Sequence, residues 1–174
     1  MIRVVFFCLW LVVCPGLSAA ETKVYFNPPL PGDQKIVWYI VAALNKAEQE
    51  VLVQQFQFTE PNIIAAIRAA KERGCQVVGI FDKVNRSEKR PGEGVRELSR
   101  ANIPVYFDPI HIAHNKVLII DKKLVICGSF NLTASANQRN CENALFLDDP
   151  PVVQRFLENF RSRLEAAQRR AAEE

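Results

Sequence analysis

Both histidines of the chain lie in one apolar stretch, HIAHNKVLIIDKKLVICGSFN, which runs from His111 to Asn131. An imidazole can act as a nucleophile or as a general acid and base near neutral pH. The ammonium of Lys116, the hydroxyl of Ser129 and the amide of Asn131 are donors that suit a phosphate oxyanion. No carboxylate pair or thiolate cluster stands nearby to hold a metal. These residue types predict metal-free phosphoryl transfer with His114 as the nucleophile, the alternative being the solvated polar face of a sheet.

The polar side chains converge if the stretch folds as a hairpin with a turn of even length. Side chains alternate between the faces of a strand, so His114 and Lys116 share a face, as do Ser129 and Asn131. A two-residue turn at Lys122-Lys123 places Lys116 opposite Ser129. The same register places His114 opposite Asn131. A turn of odd length would shift the pairing by one residue and break this convergence.

The spacing of the polar residues also matches a known signature. The pattern H-x-K-x4-D-x6-G-S-x-N is present in full, at His114, Lys116, Asp121, Gly128, Ser129 and Asn131. It resembles the signature of the phospholipase D superfamily, and the following NLTASANQRNCENALFL resembles the small single-motif bacterial endonucleases of that family. The resemblance covers about residues 23–165.

The resemblance implies a role for each polar position. His114 is expected to attack phosphorus and form a phosphohistidine, while Lys116 and Asn131 bind phosphate oxygens with support from Ser129. Glu142 is the residue expected to orient the histidine, although an exposed carboxylate at a sheet edge is an equal alternative. No cofactor and no metal are expected.

Two further motif positions are expected to be structural. Asp121 falls on the other face of its strand from His114, so we expect it to anchor the turn rather than to react. Gly128 completes the motif. His111 is expected on the opposite face from His114, which favours a loop histidine near the mouth of the site over a metal-binding pair.

The single copy of the motif has a consequence for assembly and substrate. Enzymes of this family use two motifs, one for the nucleophile and one for the general acid, so the resemblance implies a homodimer with one shared site. The expected activity is that of a nonspecific endonuclease on DNA or RNA. A phospholipase D that releases head groups is the first alternative, and a non-catalytic phosphate-binding domain is the second.

The elements around the motif predict an α/β fold with a single domain over residues 21–174. Strands and helices alternate from KVYFNP to IPVYFD, which predicts a mixed, largely parallel sheet flanked by helices on both faces. The hairpin strands are expected at 114–121 and 124–130, followed by a strand at NALFLD and a long closing helix.

The pattern of the first twenty residues predicts a secretory signal peptide. Arg3 precedes an apolar run, and small residues lead to a cleavage point after Ala20, although an uncleaved anchor is the alternative. Removal of this segment lowers the net charge from +3 to +2 because Arg3 is its only charged residue. The domain is therefore expected in the periplasm or outside the cell, where disulfides can form. The pairing of Cys75, Cys127 and Cys141 does not follow from the sequence. Any basic surface is expected to be local, at the cations of the loop 83–90.

Overall fold

The structure is a computed structural model that describes residues 20–86, 92–110 and 112–173. The predicted signal peptide, apart from Ala20, lies outside the described residues, as do His111 and the Lys89-Arg90 part of the basic loop. No helix of the described ranges is long and apolar enough to cross a bilayer.

The described chain contains seven strands and five helices, which alternate up to β4. The strands are β1 (Thr22–Asn27), β2 (Glu50–Gln55), β3 (Gln76–Phe81), β4 (Val105–Phe107), β5 (Lys116–Ile120), β6 (Leu124–Gly128) and β7 (Glu142–Leu147). The helices are α1 (Ile36–Asn45), α2 (Pro61–Glu72), α3 (Glu93–Arg100), α4 (Ala134–Gln138) and α5 (Pro150–Glu173). A 3₁₀ turn (Lys83–Arg86) follows β3.

The strands form one mixed sheet in the order β1-β7-β6-β5-β2-β3-β4. The predicted α/β class with a mixed sheet is confirmed, but the parallel part is smaller than expected. Only β2, β3 and β4 pair in parallel, and the other four pairings are antiparallel. Alternating strands and helices do not specify which strands become neighbours, and β1 lies at the far edge against β7 instead of beside β2.

Helices cover both faces of the sheet, as predicted. Alternate residues of β2 and β5 point to opposite sides, and each side is packed against different helices. Val51 and Leu118 belong to the core beneath α1, α2 and α3. Leu52 and Ile119 belong to the core beneath α5, whose contributions include Phe160.

An ion pair fixes α5 to the end of β4. Asp108 is almost fully buried, and its carboxylate accepts hydrogen bonds from Arg163 Nε at 2.8 Å and from Nη2. Burial raises the pKa of Asp108, but the hydrogen bonds from Arg163 and from the Ile110 N–H outweigh this effect and the net pKa lies below its ordinary value. The buried charge therefore depends on the helix that supplies its partner.

The β5–β6 turn has three residues, so the predicted even-length turn is wrong. Ile120 pairs directly with Leu124, and the Lys123 N–H donates to the Ile120 carbonyl at 3.0 Å. Asp121 and Lys122 adopt positive φ values of 54° and 56°. A one-residue change in turn length shifts the whole pairing. Continued along the hairpin, the observed register puts Lys116 opposite Gly128 and not opposite Ser129.

Asp121 leaves the strand because its carboxylate binds the backbone of another segment. Oδ1 accepts the N–H groups of Gln49 at 2.8 Å and Glu50 at 2.9 Å, and Oδ2 accepts that of Glu48 at 3.0 Å. Partial burial raises the pKa of Asp121, but the backbone hydrogen bonds lower it by more than burial raises it. The net pKa of Asp121 is therefore below its ordinary value. Asp121 thus holds the turn against the start of β2.

Replacement of Arg163 by Met should destabilise the fold by roughly 3 kcal/mol, because it leaves the Asp108 carboxylate buried without its cation. Urea unfolding of wild type and variant measures the difference. Arg161→Met is the matched control, because Arg161 is exposed on the same helix. Equal stability of the Arg163 and Arg161 variants would contradict a structural role for the ion pair.

Replacement of Asp121 by Asn should cost about 2 kcal/mol at neutral pH, because three N–H groups lose a charged acceptor. A carboxyl with a lowered folded pKa stabilises the protein above its unfolded pKa, and this contribution is lost as the pH falls through the folded value. The gap between wild type and variant in urea unfolding should therefore shrink below about pH 4.

Glu48→Gln is the control for this measurement, since it removes an exposed carboxylate beside the same turn. A gap for Asp121→Asn that stays constant down to the lowest pH at which both proteins fold would show that the charge on Asp121 is not what holds the turn.

Candidate functional site

The segment before β5 is positioned by a buried carboxylate. Asp82, at the end of β3, is only 4% exposed. Its Oδ2 accepts the Ala113 N–H at 2.6 Å, and its Oδ1 accepts the Val84 N–H at 2.8 Å. The Phe56 N–H donates to the Asn115 carbonyl at 2.9 Å. The backbone on both sides of His114 is therefore tied to the ends of β2 and β3.

His114 and Lys116 are brought together at this point. Lys116 Nζ lies 3.0 Å from His114 Nε2 and donates to the His114 carbonyl at 3.0 Å. The Phe56 ring meets the imidazole edge-on, with ring centroids 4.6 Å apart, and lies 5.4 Å from the Lys116 ammonium. The imidazole is exposed, while the lysine is half-buried. Phe56 has no distinctive motif, so sequence reasoning missed it.

The ammonium of Lys116 is poorly solvated. Burial lowers the pKa of Lys116, and the nearby charge of Glu142 opposes this effect without cancelling it. An ammonium has only donors, so its contact with Nε2 requires a lone pair on that nitrogen. The contact therefore occupies the lone pair of His114 Nε2.

Ser129 reaches the site through a bulge at the end of β6. The N–H groups of Ser129 and Phe130 both point to the Asn143 carbonyl, at 3.2 and 3.3 Å. Two residues therefore oppose one on β7. Gly128 precedes the bulge with a φ of 154°, and a Cβ there would lie 2.4 Å from the Asn143 oxygen. The motif glycine is thus required by a close backbone approach.

Glu142 contacts Ser129 and not His114. The Ser129 hydroxyl donates to Glu142 Oε2, and Asn140 Nδ2 donates to Oε1 at 2.9 Å. The Asn143 N–H in turn donates to the Ser129 hydroxyl at 3.0 Å. Within the described chain no hydrogen bond joins Glu142 to His114, and both carboxylate oxygens accept from other donors. The influence of Glu142 on the site is electrostatic, through Lys116.

Asn131 lies in the segment that leads from the bulge to α4. The next residue, Leu132, forms a bridge with Phe58, and its carbonyl accepts the N–H groups of Thr59 and Glu60 at 2.8 and 2.9 Å. The Oδ1 atom of Asn131 is buried and has no hydrogen-bond partner among the described residues. The segment is fixed, but among the described residues the Lys116 ammonium hydrogen-bonds to His114 and not to Asn131.

A buried carboxylate that the sequence analysis did not single out supports this segment. Glu60 is 1% exposed and caps α2 by accepting the Asn62 N–H. It also accepts Asn62 Nδ2 at 2.8 Å and Asn137 Nδ2 at 3.2 Å. Because Asn137 belongs to α4, Glu60 ties α2 to the helix that follows Asn131. The signal available was a Glu directly before a helix-initiating Pro61.

The reactive face is open. A groove with a volume of about 420 Å³ includes Trp38, Lys46 and Asp121 and lies at the far end of β5 from Lys116. The cavity beside Lys116 is much smaller, at about 10 Å³. Asp121 thus lies away from His114, and the exposed His114 imidazole stands on a shallow surface. Cys75, Cys127 and Cys141 are free thiols.

Known proteins share both the sequence and the fold. Residues 40–164 match the family model described as cardiolipin synthase, PLD-like domain. A phospholipase D of Rickettsia typhi is 39% identical over 150 residues, which cover 86% of this chain and 71% of the relative. The mitochondrial cardiolipin hydrolase of Mus musculus is 33% identical over 151 residues, which cover 86% and 66% of the two chains.

A solved structure agrees with these matches. The crystal structure of Nuc from Salmonella typhimurium, described as a phospholipase D family member, superposes with a TM-score of 0.76 at 28% identity. The match covers 84% of this chain and 95% of Nuc. The predicted family resemblance is confirmed, and the chain belongs to the phospholipase D superfamily of phosphodiester hydrolases.

Proposed function

We propose that this protein is an exported endonuclease that cleaves DNA or RNA without a metal ion, through a phosphohistidine on His114 in a homodimer. The observation that carries the proposal is the open site: His114 is exposed beside the Lys116 ammonium, and the adjoining cavity holds only about 10 Å³. A polymer can lie across such a surface without its ends entering a pocket. Membership of a hydrolase family argues against the alternative of a non-catalytic phosphate-binding domain.

The reaction needs a nucleophile and a separate group that first gives and then takes a proton. In the first step His114 Nε2 forms a bond to phosphorus, the bond to the leaving oxygen breaks, and an acid protonates that oxygen. In the second step the same group, now a base, takes a proton from water as the water oxygen displaces the imidazole from phosphorus. Lys116 stabilises the charge on the phosphate oxygens. No metal ligand is needed for this sequence.

A second copy of the chain can supply the acid. His114 cannot both attack phosphorus and protonate the leaving group through the same nitrogen. A two-fold axis brings the same patch of two subunits together, so the partner's imidazole would face the first across the phosphate. The exposure of His114 leaves it accessible for this arrangement.

Charge and shape favour a nucleic acid as the substrate. Lys116 lies at the site, and exposed Lys83 belongs to the 3₁₀ turn that Asp82 ties to Ala113. Cations along an open surface bind successive phosphates without reading the sequence. This arrangement supports cleavage with little base preference.

A phospholipid substrate is the second candidate, and a specific feature favours it. Val84, Ile110 and Ile112 are 54, 50 and 59% exposed, in the two segments that Asp82 ties together next to His114. Exposed apolar side chains beside a reactive group are typical of proteins that meet lipid or another protein. The relatives named phospholipase D and cardiolipin hydrolase are consistent with such a substrate.

Assays on two substrates in the presence of EDTA distinguish the candidates. We expect the mature protein to nick plasmid DNA with EDTA present, and the rate to fall steeply between low and moderate salt because phosphate contacts release counterions. Phosphatidylcholine and cardiolipin vesicles are assayed in parallel for head-group release. Head-group release without DNA or RNA cleavage would overturn the endonuclease proposal and support the phospholipase.

Replacement of His114 by Ala should abolish cleavage and also reveal the shared site. When wild-type and His114→Ala chains are co-expressed in equal amounts, random pairing leaves about a quarter of the dimers with two histidines. Activity should therefore fall to about a quarter, whereas independent subunits would keep about half. Tagged purification of the mixed dimer and sedimentation of the active species complete the measurement.

Two results would contradict this part of the proposal. Full activity of His114→Ala would show that His114 is not the nucleophile. An active species that sediments as a monomer would show that the active site is not shared between two subunits. Arg161→Met co-expressed with wild type is the control, because it tests whether co-expression itself lowers activity.

A further inference from the structure

Gln55 is a buried polar residue directly beside the reactive lysine. It is the last residue of β2 and pairs with Lys116 in the antiparallel register between β2 and β5. Directly opposed side chains in such a pair lie on one face, with Cβ atoms about 4.5–5.5 Å apart. Gln55 is 2% exposed and lines the same 10 Å³ cavity as Lys116 and Leu118.

The carboxamide of Gln55 is not satisfied in the described chain. Its Oε1 atom is buried and has no hydrogen-bond partner. A buried acceptor without a donor costs about 1–3 kcal/mol, and most buried polar groups avoid this cost. The other residues around the cavity, including Leu118 and Ile126, are largely apolar. An apolar residue would fill this place at lower cost, so packing alone does not explain a glutamine.

Lys116 has a donor that needs a different acceptor during the reaction. Its ammonium carries three N–H groups. Two of them are directed at His114, one to Nε2 and one to the carbonyl oxygen. The Nε2 lone pair must be released before it can attack phosphorus, so the first of these contacts has to break when substrate is bound. Gln55, whose Oε1 atom has no partner among the described residues, lines the same cavity as Lys116 and can offer the freed N–H an acceptor.

We infer that Gln55 is a positioning residue that draws the Lys116 ammonium away from the His114 ring when a phosphodiester binds. The three N–H groups then meet three acceptors, which are the His114 carbonyl, the Gln55 Oε1 and a phosphate oxygen. The 10 Å³ cavity between the two side chains gives room for this small displacement. No covalent bond changes in this step. The inference rests on the proposed role of His114 as the nucleophile.

The test uses a pair of neighbouring glutamines. Gln55→Met keeps the length of the side chain and removes the acceptor. Gln54→Met makes the same change at an equally buried residue on the opposite face of β2, so it reports the cost of altered packing. With bis(p-nitrophenyl) phosphate as substrate, we expect Gln55→Met to lose about tenfold in kcat/KM, the effect of one hydrogen bond. Gln54→Met should stay close to wild type.

The titration of His114 gives a readout that a packing defect would not move. With saturating inorganic phosphate, followed by NMR, the His114 pKa should be lower in Gln55→Met than in wild type, because the ammonium stays on Nε2 and opposes its protonation. In a Lys116→Ala background the same substitution should leave the His114 pKa unchanged. Such a double-mutant cycle isolates the coupling between Gln55 and Lys116.

The possible results separate the inference from the proposed function. If wild type cleaves the diester and Gln55→Met has the same kcat/KM, the inference about Gln55 is overturned and the proposed function is not. An equal loss in both glutamine variants, or a shift of the His114 pKa that persists without Lys116, has the same consequence. Wild type that cleaves no diester, or His114→Ala that remains active, overturns the proposed mechanism itself.

Discussion

The contact between the Lys116 ammonium and His114 Nε2 is the interaction on which the site depends. It places a poorly solvated cation 3.0 Å from the atom that would attack phosphorus. An ammonium has only donors, so the contact occupies the lone pair of His114 Nε2. In the proposed mechanism this nitrogen attacks phosphorus, so it cannot also protonate the leaving oxygen. The acid must then come from another group, which is a physical reason for the proposed pairing of two copies of the motif.

Carboxylates hold this contact in place by binding backbone N–H groups instead of taking part in it. Asp82 ties the segment before His114 to the end of β3, and Asp121 ties the far end of the hairpin to the start of β2. Charge-assisted hydrogen bonds to backbone groups are stronger than neutral ones. Fixing both ends of β5 in this way holds the backbone that carries the Lys116 and His114 side chains, which is what a preorganised site requires.

Much of this arrangement could be predicted from the sequence, and the rest required long-range contacts. The motif located His114 and Lys116, and alternation along the strand predicted that Asp121 would lie apart from them. The order of strands and helices predicted the class of the fold. The edge position of β1 depends on pairing with residues more than a hundred positions later. Gln55, Phe56 and Asp82 were missed for the same reason, since each acquires its role from a residue that is distant in the sequence.

The hairpin departs from the predicted regular geometry at two places, a three-residue turn and a bulge, and their effects on the direction of the Ser129 side chain compensate each other. An odd turn moves Lys116 from opposite Ser129 to opposite Gly128, which by itself would turn the Ser129 side chain to the other face. The bulge at Ser129 and Phe130 inserts one extra residue and changes the alternation a second time. Ser129 consequently reaches Glu142, whose charge acts on Lys116. The glycine at position 128 permits the second change, so the spacing of the motif encodes the turn and the bulge together and is not explained by a regular hairpin.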